Sequence, residues 1–282
     1  MKKLTFLFIL FSFFAKAQSG WIKAPGELYA QVSVAAMASK DYYNLLGNRI
    51  TTNQFQQSAL NLYAEYGLGQ KLTAIGATSL RSNAFETTDA VIAPSDLRLE
   101  LKYSLLQGKF PLAISVASEI PLSNKTNFAT ADEPNELGVR DRINLATTDG
   151  EVNFWTTLAI SRSFGKGKTY ASAYSAYNLR TSDFTDQIKA GIEFGVQPVE
   201  RFWLIGKLSS LFLTSAEPNP DASFIRGEGT TFTGHSIAAS YELQNGLGFL
   251  AEYFSFSDLI AERKNIYSTP VFSIGVFFKK TK

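Results

Sequence analysis

The chain has no cysteine, one histidine and few charges: Asp, Glu, Lys and Arg supply 18% of its 282 residues, where a soluble domain carries about a quarter. Without cysteine there is neither a disulfide framework nor thiolate chemistry. One imidazole and no thiol leave no zinc ligand set, and no cofactor is expected. The lone His235 is followed by Ser236, but consecutive strand residues point to opposite faces, so the two cannot meet as base and nucleophile. A formal net charge of +2 with no basic block gives no argument for nucleic acid, and no such partner is expected.

Long apolar runs are also scarce. Only Leu4 to Phe14 is nearly unbroken, and it falls short of the roughly 20 residues that a spanning helix needs. Lys2 and Lys3 precede it and Ala15-Lys16-Ala17 follows. That arrangement reads as a signal peptide over residues 1–17, with Gln18 as the first residue of the exported chain. No Cys stands at the cleavage point to take a lipid anchor. Nothing in residues 18–282 resembles a linker, so they are expected to form one domain.

What is abundant is aromatic: 23 Phe and 12 Tyr, beside 20 Gly. From Glu27 onward the apolar residues recur with period two, the signature of half-apolar strands. Leu97, Leu99, Leu101, Tyr103 and Leu105 alternate with Asp96, Arg98, Glu100, Lys102 and Ser104. About twelve strands emerge, near 26–38, 56–67, 71–82, 95–106, 110–121, 150–164, 168–181, 185–197, 200–214, 231–243, 246–257 and 267–279. Most are about 12 residues long, enough to cross a bilayer as tilted strand. Tight turns such as Gly67 to Gln70 and Gln107 to Lys109 alternate with long polar loops, Ser39 to Phe55, Ser123 to Thr148 and Ser215 to Thr230. This asymmetry predicts an all-β fold, an antiparallel up-and-down transmembrane barrel of the outer membrane. Closure is obligatory, because hydrocarbon offers no partner to a free sheet edge. Aromatics near strand ends, among them Phe110, Phe164, Phe202, Trp203, Tyr253, Phe254, Phe256, Tyr267, Phe277 and Phe278, are expected at the membrane interfaces.

With the apolar face toward lipid, the lumen receives Glu27, Glu65, Asp96, Arg98, Glu100, Lys102, Glu119, Glu151, Asn153, Arg180, Lys189, Glu193, Lys207, Glu242 and Glu252. Such a set either salt-bridges a filled interior or lines a pore that selects among solutes by charge. The longest loop, with Asp132, Glu133, Glu136, Arg140, Asp141 and Arg142, is either a solvated cap or a constriction folded into the mouth. Its acids lack the spacing of a calcium loop.

Four segments carry a resemblance: Leu62 to Leu68 with Lys71-Leu72-Thr73, Thr148 to Asn153, Tyr177 to Thr181 with Phe184 and Asp186, and Pro270 to Phe278. In that order they resemble the outer-membrane transporter family named for the meta-pathway of phenol degradation, itself distantly similar to FadL-type fatty-acid transporters. The resemblance implies a channel for passive uptake of a small organic solute, hydrophobic or aromatic, across a Gram-negative outer membrane, and no enzymatic activity. Its partners would be outer-membrane lipid and lipopolysaccharide, the barrel-assembly machinery and the small-molecule solute. The alternative is a non-conducting barrel with a structural or surface-interaction role. Only Gln18 to Pro25 precede the first strand, too few to build the N-terminal plug of the fatty-acid transporters.

Overall fold

The computed structural model describes residues 18–215 and 227–281, so the signal-like segment 1–17 lies outside the described residues. Twelve antiparallel strands close into a barrel: β1 (Leu28–Tyr43), β2 (Arg49–Gly67), β3 (Leu72–Phe85), β5 (Asp96–Leu106), β6 (Leu112–Pro121), β9 (Asn153–Phe164), β10 (Thr169–Arg180), β11 (Gln187–Val199), β12 (Phe202–Leu213), β13 (Phe232–Glu242), β14 (Leu247–Ser257) and β16 (Val271–Lys280). Each pairs with its neighbour along the chain, and β1 with β16 completes the ring. Short strands decorate one rim: β4 (Val91–Pro94) on β3, β15 (Ile266–Tyr267) on β1, and a hairpin of β7 (Phe128–Thr130) with β8 (Arg142–Asn144).

The alternation of the sequence becomes the two faces of the wall. On β5, Leu99 and Leu101 are each 50% exposed on the outside while Arg98 and Lys102 are 5% exposed inside. An even strand number puts both ends of the barrel sheet at the rim of the short turns, the periplasmic side of an outer-membrane barrel.

Residues 39–55 depart from the loop read in the sequence. β1 continues to Tyr43 and β2 begins at Arg49, joined by a turn in which Asn44 Oδ1 accepts from the backbone N–H of Leu46 and Asn48. Tyr42, Tyr43, Thr51 and Thr52 are strand formers despite their polarity, and above the membrane a strand has no need of an apolar face.

The aromatic girdle is corrected as well. Phe164, Tyr253 and Phe278 face outward, but Phe277 is 4% exposed, Tyr267 8% exposed, and Phe254 and Phe256 line the lumen. In Phe277-Phe278 and Tyr253-Phe254 adjacent residues must take opposite faces, so one ring of each pair fills the interior.

Candidate functional site

The interior is organised in three levels. At the periplasmic end the chain before β1 crosses the lumen. Gly26 N–H donates to Gly67 O (2.9 Å) and Lys23 N–H to Thr73 Oγ1 (2.9 Å), while Gly20 N–H reaches Ser161 Oγ on β9 (2.7 Å). A Cβ at Gly20 would stand 1.9 Å from Pro111 O, so only glycine permits this approach. Trp21 meets Tyr170 edge-on at 5.5 Å, Tyr170 packs on Trp203 at 5.5 Å, and Tyr29 stacks on Phe277 at 5.6 Å. Eight residues that looked too few for a plug therefore make a floor, because inward aromatics of the wall supply the rest. Glu65 belongs here, accepting from Tyr63 Oη (2.6 Å) with Lys23 Nζ at 3.6 Å. Lys102 is buried in the same wall. Glu242 pairs with Lys279 at the periplasmic rim, and Glu27 accepts from Ala24 N–H (2.9 Å) instead of lining the lumen.

Above the floor lies a chamber of about 540 Å³. Asp96, Arg98, Glu119, Lys189, Glu193, Lys207 and Glu252 line it. Arg98 donates to Glu100 (2.6 Å) and Glu119 (2.8 Å), and Glu119 also accepts from Trp155 Nε1 (2.9 Å). Lys207 Nζ lies 3.2 Å from Glu252 Oε1, to which Ser236 also donates. His235 stands on the other face of β13, as alternation requires, so the two side chains do not meet. The adjoining part of the lining is apolar: Met37, Phe232, Phe254, Phe256, Ile266 and Val271. Phe256 meets Phe232 at 5.1 Å and Phe254 at 4.8 Å. The chamber is amphipathic, with a charged arc whose members are paired and an aromatic arc beside it.

The roof has two parts. Tyr42, Phe55, Phe85 and Tyr267 cluster in the mouth around the buried Ala129 and Leu145, with Phe55 stacked on Tyr267 at 4.6 Å. The long loop returns through this cluster. Asn83 Nδ2 holds Leu145 O (3.3 Å) and Ala146 O (3.1 Å), Arg81 holds Thr147 O (3.2 Å), and Thr148 Oγ1 donates to Asp96. The loop's charged tip, with Asp132, Glu133 and Arg140, stays exposed, while its neutral return Leu145 to Thr148 forms the constriction.

The second part is a hub on Arg180, at the outer end of β10. Its guanidinium contacts Glu151, Glu228 Oε2 (3.3 Å) and Asp149 Oδ2 (3.6 Å). Glu228 accepts from Thr185 N–H (3.0 Å) and Oγ1 (2.6 Å), and Asn265 donates to its carbonyl. Asn178 Nδ2 donates to Asn153 Oδ1 (2.8 Å) just below. Three carboxylates thus share one guanidinium, and burial pushes Glu151 from 4.5 up to about 7, against the pull of Arg180.

The predicted residues are therefore distributed over floor, chamber and roof. The inward aromatics were legible by parity, since Phe254 and Phe256 share the register of Glu252. Glu228 and Asp149 sit in loops, where no periodicity marks them.

No family profile and no curated protein matches the sequence. Among solved structures, the chain is similar to the COG4313 outer membrane channel from Pseudomonas putida F1, with a TM-score of 0.59 at 11% identity, over 92% of this chain and 97% of that one. It is also similar to the translocator domain of the autotransporter NalP from Neisseria meningitidis, with a TM-score of 0.55 at 11% identity, over 91% and 89% of the two chains. Likeness at this identity shows the fold: an outer-membrane β-barrel.

Proposed function

We propose that this protein is an outer-membrane channel for passive uptake of a small organic solute that has an apolar, aromatic-sized body. The amphipathic chamber carries the reading. Its volume of about 540 Å³ falls in the range of small-ligand sites, roughly 300–1,000 Å³. The arc of Phe232, Phe254 and Phe256 offers a surface for a ring, which packs edge-on or offset against other rings. The charges beside it, of both signs, offer hydrogen-bond partners to a polar substituent. Similarity to a solved outer membrane channel supports transport on this scaffold, and the resemblance to the phenol meta-pathway family supports the aromatic class.

The test is current block in planar bilayers. A small aromatic solute such as indole should interrupt the single-channel current, a hexose of similar size should not, and Phe254→Ala should weaken the block. Equal block by ring and sugar would remove the aromatic class. A folded barrel that never conducts would leave the structural role instead.

A further inference from the structure

The lipid face of the barrel is mostly covered by large side chains, but along β10 the outward positions are Thr169, Ala171, Ala173 and Ser175. Their neighbours are bulky. Ala171 is flanked by Arg162 and Phe194, and Ala173 by Ile160 and Ile192. The result is a mostly apolar trough of about 780 Å³ on the outer wall, bordered at its periplasmic end by Phe110 and Phe164, with Glu193 and Lys207 also in its lining. On β10 it is floored by Ala171 and Ala173, and it widens sideways past Ile192 and Leu208, so it takes a segment of an acyl chain.

One cation sits at its periplasmic end. The Arg162 guanidinium lies 4.6 Å from the Phe110 ring centre and 4.9 Å from that of Phe164, held between two rings at the level where strand gives way to turn. It makes no ion pair with a carboxylate among the described residues. Lys109, Lys166 and Lys168 stand exposed on the adjoining turns, and no Asp or Glu occurs between Glu100 and Glu119 or between Glu151 and Asp183. An arginine on a lipid-facing wall is tolerated near the interface, and here the two turns beside it carry lysines and no acid.

We infer that this trough is a binding site for a phospholipid of the inner leaflet, with a segment of one acyl chain over Ala171 and Ala173 and the phosphate on Arg162. Charge complementarity selects this occupant: the basic end lies at headgroup level on the periplasmic rim, where the bilayer presents phosphate, and the remainder is hydrocarbon-sized and mostly apolar. Lipopolysaccharide belongs to the opposite rim.

Native mass spectrometry of the full barrel in mild detergent, titrated with dioleoylphosphatidylglycerol, tests the site. Wild type should retain one lipid more tightly than the rest, and excess inorganic phosphate should not displace it. Arg162→Gln should weaken retention about fivefold, the effect of one basic residue at a lipid surface. Ala173→Phe, which fills the trough, should abolish it. Lys280→Gln, on the same rim but away from the trough, should change nothing. A heat-shifted gel band confirms folding of each variant. Equal retention by wild type, Arg162→Gln and Ala173→Phe would overturn the site. Loss with Ala173→Phe but not with Arg162→Gln would overturn the phosphate assignment, and a dimer mass without lipid would assign the trough to a second copy.

Discussion

Arg98 and Leu99 are neighbours in sequence and stand in different solvents. Arg98 is buried in the lumen between Glu100 and Glu119, whereas the Leu99 side chain is half exposed toward lipid. The costs of exchanging these environments differ widely. Arginine placed on the lipid face near the midplane costs about 2–4 kcal/mol, falling toward the interfaces. Leu99→Arg should therefore impair assembly, seen as loss of the heat-shifted band on an unheated gel. Glu100→Gln keeps a hydrogen-bond acceptor for Arg98 and removes only charge, so it should fold and shift the reversal potential toward anions. A folded Leu99→Arg with a misfolded Glu100→Gln would invert the faces. Residue-level placement on β5 was legible because polar and apolar residues alternate without exception over Asp96 to Ser104. It failed at Phe254, Phe256 and Phe277, where aromatic character was read as a preference for the interface and parity was overlooked.

The strands and the tight turns were legible as elements, and the long connections were not. A strand in a wall with two different solvents must alternate, so period and length fix it. A loop meets no such constraint. Nothing in the composition of 123–148 distinguishes the exposed tip around Leu137 from the buried return Leu145 to Thr148. The roof loops are joined through side chains far apart in sequence, and the Arg180 hub ties the segments at 149–151, 185 and 228 together. Glu151 makes this junction sensitive to pH. Its folded value, pushed up to about 7, lies above its ordinary 4.5, so its contribution to the closed roof is complete below about 4.5 and is lost as pH rises through about 7. Openings should be more frequent at about pH 8 than at about pH 5.5, and Glu151→Gln should flatten that dependence. A profile unchanged by Glu151→Gln would place the titrating group elsewhere.

Viewed whole, the barrel holds an amphipathic chamber between a floor made by Gly20 to Lys23 with Tyr29, Tyr170 and Trp203 and a roof made by the aromatic mouth and the Arg180 hub. The proposed passage of solute requires these ends to yield, and the floor is the simpler end to loosen. Trp21 contributes its ring to that floor through the edge-on contact with Tyr170, while the wall strands pair without it. The most direct measurement is single-channel conductance of wild type and Trp21→Ala in planar bilayers, after both are shown to be folded by gel shift. Brief, small openings in wild type and longer, larger ones in Trp21→Ala are the predicted result; two folded barrels that are equally silent would contradict it.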